Sequence, residues 1–181
     1  NEIANSNFTL NFESERAYKE QLYITNDKNI HIVKHTDIFK REPKTAVITI
    51  NGTDINTQQV SASEFYISDS KVITVANTNY LIGFATDNVK PGISVGGKKD
   101  KSYFLYDITN GNLISNQGWS DTILKKVLGK GFLDLTIQNV LTQDNNIYLI
   151  GECFKSESAL KEGASFEYDY TYNIGPGIVV K

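Results

Sequence analysis

Tyr80-Leu81-Ile82-Gly83 recurs as Tyr148-Leu149-Ile150-Gly151. The likeness extends upstream, where Ile73-Thr74 matches Leu141-Thr142 at the same distance from the tetrapeptide. A more diverged third copy holds the same register. Ile24-Thr25, Asn26-Asp27-Lys28-Asn29 and Ile30-His31-Ile32-Val33 align with Leu141-Thr142, Gln143-Asp144-Asn145-Asn146 and Ile147-Tyr148-Leu149-Ile150. Each copy sets two short apolar runs around a segment rich in Asn and Asp, whose side chains tolerate left-handed backbone. The pattern predicts equivalent β-hairpins over 24–34, 73–83 and 141–151.

A further apolar run lies downstream of each hairpin. Ala46-Val47-Ile48-Thr49-Ile50 is followed by Asn51-Gly52, and Tyr103-Phe104-Leu105-Tyr106-Asp107-Ile108-Thr109 by Asn110-Gly111. Asn-Gly is a strong hairpin signal because a type I′ turn needs positive φ at both central residues. In the third copy the corresponding strand is Gly177-Ile178-Val179-Val180. The order is therefore hairpin, connection, third strand, tight turn, fourth strand. The hairpin starts at Ile24, Ile73 and Leu141 lie 49 and 68 residues apart. A four-stranded repeat of about 40 to 50 residues or more is what a propeller blade requires.

The stretch Tyr106-Asp107-Ile108-Thr109-Asn110-Gly111-Asn112-Leu113-Ile114 resembles the strand-Asp-x-x-x-Gly-strand element of quinoprotein-like propellers. The repeated plan as a whole resembles the β-propeller repeat families, kelch-like in general appearance, over nearly the whole chain. There is no Trp-Asp dipeptide, and Gly96-Gly97 occurs once. The resemblance implies an architecture. The chain is expected to be all-β, built from antiparallel strand-turn-strand units that form blades of a partial β-propeller, with a β-sandwich as the alternative. It reads as one domain over 1–181, in approximate units 8–60, 61–120 and 121–181. Propellers close with about four to eight blades, so three units imply a longer chain or a larger assembly, with exposed sheet edges at one or both ends of the array.

The remaining segments fit that frame. Phe8, Leu10 and Phe12 alternate with polar residues, which predicts an opening strand. Ser120-Asp121 before Ile123, Leu124, Val127 and Leu128 predicts one short capped helix inserted between blades. The polar, Lys-rich stretches from Asp87 to Lys101 and from Lys155 to Gly163 read as long loops.

Composition bounds the function. Of 181 residues 40% are hydrophobic and 22% charged, with a net charge of -3, so disorder is excluded and no basic surplus is left for nucleic acid. No apolar run approaches the roughly 20 residues that cross a bilayer as a helix. The single cysteine, Cys153, forms no intramolecular disulfide and leaves the redox compartment open. A start at Asn1 rather than Met, together with many Asn, Thr, Tyr and Ser residues, suggests a processed piece of an extracytoplasmic protein, secreted, periplasmic or at the cell surface. Asn7-Phe8-Thr9 and Asn51-Gly52-Thr53 fit the glycosylation triplet, though Asn51 already serves as a turn residue.

Few residues invite chemistry. His31 and His35, the only histidines, would lie about 13 Å apart along a strand, too far to share an ion. They read as edge or loop residues. Cys153 reads as a buried structural thiol, since no histidine stands near it in sequence to act as a base. The Asn/Asp clusters lack the carboxylate ladder and closing Glu of a calcium loop. No catalytic, metal or cofactor residue is nominated. Phe166-Glu167-Tyr168-Asp169-Tyr170-Thr171-Tyr172-Asn173 stands apart, because alternation puts its aromatic residues on one strand face. Either that face packs between blades, or Tyr168, Tyr170 and Tyr172, with Trp119, form an aromatic platform for a ligand. The expected function is a non-catalytic scaffold or binding module for a protein or glycan. A fragment of a propeller-type carbohydrate-active enzyme and a β-sandwich lectin or adhesin are the alternatives.

Overall fold

The computed structural model describes residues 17–36, 44–64, 66–86, 100–120, 122–123, 134–144, 146–160 and 168–181. Among these described residues, eleven strands form three antiparallel sheets. Sheet 1 contains β1 (Ala17–Ile24), β2 (Ile30–Thr36), β3 (Thr45–Asn51) and β4 (Asp54–Val60). Sheet 2 contains β5 (Tyr66–Val75), β6 (Thr78–Thr86), β7 (Asp100–Asp107) and β8 (Asn112–Gly118). Sheet 3 contains β9 (Asp134–Gln143), β10 (Asn146–Leu160) and β11 (Tyr168–Val180). Within every sheet the strands pair in chain order, so each is a meander. No helix long and apolar enough to cross a membrane occurs among the described residues.

All three repeat copies are hairpins, closed by the pairs Ile24↔Ile30, Val75↔Thr78 and Gln143↔Asn146. Left-handed residues lie in all three turns, Lys28, then Ala76 and Asn77, then Asp144, of which only Asn77 and Asp144 are the residue types the composition calls for. Both Asn-Gly pairs also close antiparallel strands, yet neither asparagine has positive φ. Gly52 (φ 60) is the first central residue of a two-residue turn between Asn51 and Asp54, the place where a type II′ turn puts glycine. Gly111 (φ 71) ends the longer loop after β7. There the Asp107 carboxylate accepts from Asn110 N at 2.9 Å and from Asn110 Nδ2 at 2.7 Å, which fixes the loop without a left-handed asparagine.

Two expectations change. The polar stretch from Lys155 is not a loop, because residues 155–160 extend β10 and pair with Tyr168 to Asn173 of β11. A hairpin arm that continues past the core needs cross-strand partners rather than a buried face of its own, so apolar alternation does not mark it. The expected helix lies mostly outside the described residues. At its start Ser120 Oγ accepts from Ile123 N at 3.4 Å, an N-cap contact, and Thr122 and Ile123 are helical. The expected strand at Phe8 to Phe12 and most of the 87–101 segment also fall outside the described residues.

The core lies between the sheets. One cluster joins Val33, Val47 and Val60 of sheet 1 to Val72, Leu81, Phe104 and Tyr106 of sheet 2. A second joins Ile82, Phe84 and Trp119 to Leu135, Ile137, Leu149, Cys153 and Ile178 of sheet 3. Sheet 2 is thus apolar on both faces. In β6 the residues from Leu81 to Thr86 are buried without interruption, as expected for a strand covered on two sides. Phe84 and Phe104 are among the largest fully buried side chains, each worth roughly 1.5 to 3 kcal/mol of transfer free energy.

The two tetrapeptide glycines are needed for close approach. β5 has an irregular register between Ile67 and Asp69, and a Cβ on Gly83 would collide with the carbonyl oxygen of Asp69. A Cβ on Gly151 would lie 2.6 Å from Cζ of Phe84, which reaches across from sheet 2. Glycine inside a strand marks a bulge or a close approach, and here the repeat supplies one of each.

Candidate functional site

The most elaborate set of buried polar groups sits where the first strands of the three sheets meet. His35 of β2 and Ser70 of β5 are both buried, with His35 Nε2 3.2 Å from Ser70 Oγ and His35 Nδ1 3.0 Å from Thr45 Oγ1. Tyr23 of β1 donates to the carbonyl of Ser70 at 3.1 Å. Asp69 is buried beside them and accepts from Ser70 N at 3.0 Å and, across the next junction, from Ile137 N of β9 at 2.8 Å. Lys71 Nζ adds a bond to the carbonyl of Gln138 at 3.1 Å. Side chains from β1, β2, β5 and the backbone of β9 therefore join the three sheets in succession.

Local sequence explains the placement. β2 pairs on both sides, with β1 and β3, so alternate residues His31, Val33 and His35 turn toward sheet 2. Each histidine lies directly across from a threonine, His31↔Thr49 and His35↔Thr45. In both pairs the hydroxyl is 3.0 Å from Nδ1. The expectation of edge or loop residues is corrected: His31 and His35 are interior, at 1% and 3% exposure. The cross-strand threonines make that burial tolerable, because buried polar atoms cost little only when bonded. His31 Nε2 has no hydrogen-bond partner among the described residues, and burial pushes the His31 pKa down against the opposing charge of Asp27.

The Ser70–His35 contact resembles a nucleophile with its base in distance. Its surroundings give it another role. The Asp69 carboxylate is bonded to two backbone amides, and Ser70 is fully buried, so the hydroxyl meets no solvent in this conformation. Burial raises the Tyr23 hydroxyl to about 12, with the charge of Asp69 adding to the effect, which keeps it a neutral donor. The cluster works as a joint between sheets. Asp69 and Ser70 escape a sequence reading, although a polar pair set between Ile67 and Val72 in a strand is a usable signal of a buried network.

A second tie lies at the hairpin turns. Asp27 accepts from Asn29 N, from Asn29 Nδ2 and, across the junction, from Asn79 Nδ2 at 2.8 Å, while Asn79 Oδ1 accepts from Thr74. Its carboxyl is held below the ordinary range by the Thr25 hydrogen bond first, with Asn79 and Asn29 contributing. The Asn/Asp clusters thus serve turn closure and sheet registration.

The aromatic candidates separate. Tyr168, Tyr170 and Tyr172 lie in β11 opposite Leu160, Ser158 and Ser156, and their side chains fall outside the described residues. Trp119 is buried after β8, its ring 5.0 Å from that of Tyr103 and 6.0 Å from that of Phe84. Cys153 is a buried thiol in the same cluster and takes part in no disulfide.

Between sheets 2 and 3 a cleft of about 140 Å³ opens beside β11. Tyr103, Leu105, Ser115 and Gln117 form one wall, and Ile147, Leu149 and Val180 the other. Tyr103 donates to Gln117 Oε1 at 2.6 Å at its rim. Compared with known protein families, with curated proteins and with solved structures, the chain matches none.

Proposed function

We propose that the chain is a non-catalytic scaffold or binding module of β-propeller type, acting outside the cytoplasm on a protein or glycan partner. The observation that carries this reading is that sheet 2 packs on sheet 1 with one face and on sheet 3 with the other, and that residues at the same place in successive repeat copies reach the neighbouring sheet at both junctions. His35 and Phe84 occupy equivalent places in the first two repeat copies, as Gly83 and Gly151 do in the second and third. His35 reaches Ser70, which pairs with Gly83, and Phe84 reaches Gly151. Contacts from corresponding repeat positions are what successive blades would make. The first strands lie together on one side, through Tyr23 to Ser70 and Asp69 to Ile137, as inner strands do around an axis. Apolar residues on both faces of sheet 2 favour blades over a two-layer sandwich, in which each sheet keeps one face toward water. A module made this way carries function at its edges and loops, because its interior is occupied by packing.

The test is to screen the purified protein against immobilised glycans and extended peptides while following the same glycans in solution for hydrolysis. Saturable binding without turnover is the expected result. Hydrolysis abolished by substitution of a carboxylate would overturn the non-catalytic reading. An experimental structure with sheets 1 and 3 packed on one another, and sheet 2 open on one face, would overturn the blade arrangement.

A further inference from the structure

We propose that Asn51 is a site of spontaneous covalent modification, at which the side-chain amide is lost through a cyclic imide to leave aspartate or isoaspartate. The proposal stands apart from the binding-module reading. An asparagine followed by glycine is the pair in which this reaction meets least steric resistance, because no Cβ shields the attacking backbone nitrogen. The chain has two such pairs, Asn51-Gly52 and Asn110-Gly111. Both asparagines are exposed, so access to water does not separate them. Their hydrogen bonds do.

At Asn110 both reacting groups are held. Its Nδ2 donates to Asp107 Oδ2 at 2.7 Å, and the nitrogen that would attack, Gly111 N, donates to the Asp107 carbonyl at 2.9 Å. Asp107 is itself buried, and a Cβ on Gly111 would lie 3.7 Å from Gln58 Nε2 of sheet 1 and 3.9 Å from the Tyr106 hydroxyl. At Asn51 none of these restraints is present among the described residues. No hydrogen bond holds its side-chain amide, Gly52 N donates to no backbone carbonyl, and a Cβ on Gly52 would meet nothing within 4 Å. Only the closing pair Asn51↔Asp54 resists the rotation that brings Gly52 N to Cγ, and beyond it Asp54 to Thr57 are exposed. A hairpin tip of this kind opens locally at little cost.

The reaction needs no co-reactant but water. Gly52 N attacks Asn51 Cγ, the N–Cγ bond forms, the Cγ–Nδ2 bond breaks, and Nδ2 leaves as ammonia with the proton from Gly52 N. Water then opens the imide. Cleavage at Cγ gives aspartate, and cleavage at the backbone carbonyl carbon gives isoaspartate, whose chain runs through Cγ and is longer by that atom. Either product sets a carboxylate across from Asp54, and like charges directly opposite weaken a strand pair. Isoaspartate also overfills a two-residue turn. The modification therefore releases the Asp54 to Thr57 end of β4, the outer strand of sheet 1, while Val60 stays in the core.

The test holds the purified chain at mildly alkaline pH and follows both pairs by peptide mapping, with mass spectrometry reading the amide-to-acid change and an isoaspartate methyltransferase reporting the isomer. In the folded chain Asn51 should convert about ten-fold faster than Asn110 or more, since two hydrogen bonds to Asp107 must break before Gly111 N can attack. In the urea-unfolded chain the two should convert at the same rate, with Asn110 gaining the more from unfolding. Asp107→Ala should speed Asn110 and leave Asn51 unchanged; if that variant does not fold, the folded and unfolded parent chain decide alone. Hydrogen exchange of the converted protein should show lost protection confined to Asp54 to Thr57. Equal rates in the folded chain, faster conversion at Asn110, or an Asn51 that is inert until the chain unfolds would overturn the proposal. So would a glycan on Asn51, which the Asn51-Gly52-Thr53 triplet permits and which takes the same nitrogen. Unchanged protection after conversion would overturn the release of β4.

Discussion

Replacing Gly151 with alanine tests the packing of sheet 2 on sheet 3 at its tightest point. The added Cβ would lie 2.6 Å from Cζ and 2.9 Å from Cε2 of Phe84. Phe84 is fully buried, so the ring has no solvent to swing into and the sheets must part or the ring must leave its rotamer. Overpacking of this kind costs about 1 to 3 kcal/mol. At about 2 to 4 °C per kcal/mol for a chain of this size, Tm falls by roughly 2 to 12 °C. Phe84→Leu alone should cost about 1 to 2 kcal/mol through the cavity it leaves. Leucine, however, removes the ring atoms that the new methyl group would strike. The double variant should therefore be more stable than the sum of the two losses predicts, by about 1 kcal/mol or more. Urea unfolding of the four proteins, with common m values, reads this coupling. A Gly151→Ala variant as stable as the parent, or strictly additive losses, would refute the placement of the ring over the glycine.

Gly83→Ala should be the more damaging of the two glycine changes and should gain nothing from Phe84→Leu, because its Cβ strikes a backbone carbonyl, that of Asp69. Thermal melts of the same set decide it. Asp69→Asn should cost about 1 to 3 kcal/mol, since an amide cannot accept from both Ser70 N and Ile137 N without turning its NH2 toward one of them; urea midpoints show the loss. Burial holds the His31 pKa below 6.5 in the folded chain, so the unfolded chain takes up the proton first. Stability should then fall as pH drops from about 6.5 toward the lowered folded value, and His31→Gln should flatten that part of the urea-midpoint profile. Tyr23, raised to about 12, gives the opposite case. Its contribution is complete below the usual tyrosine range of about 10 and is lost as pH rises from there toward 12, a loss that Tyr23→Phe should abolish in alkaline melts.

The hairpins are legible in the sequence because their determinants are local. Ile24-Thr25, Ile73-Thr74 and Leu141-Thr142 lead into segments whose Lys28, Asn77 and Asp144 adopt the left-handed backbone a turn needs, and nothing distant is required to read that. The same locality explains why Asn51-Gly52 and Asn110-Gly111 mark the right places while their geometry differs from the type I′ expectation. Glycine alone takes positive φ, and the second loop is fixed by the Asp107 carboxylate. The burial of His31 and His35 is not legible, because it depends on β3 aligning Thr49 and Thr45 across from them, a matter of register between strands that are distant in sequence. The polar arm of β10 escapes for a related reason, since Ser156 and Ser158 gain their strand conformation from Tyr172 and Tyr170.

The tetrapeptide that reveals the repeat also contains a statement about packing. Tyr-Leu-Ile-Gly alternates imperfectly, and the run from Tyr80 through Ala85 is apolar or glycine at every position, a composition that suits a strand covered on both faces. Its glycine is the residue type expected where another chain segment comes too near for a side chain. Together these features place a neighbour on each side of sheet 2. What they do not contain is the identity of the neighbour, because Phe84 meets Gly151 across 67 residues and Asp69 meets Ile137 across 68.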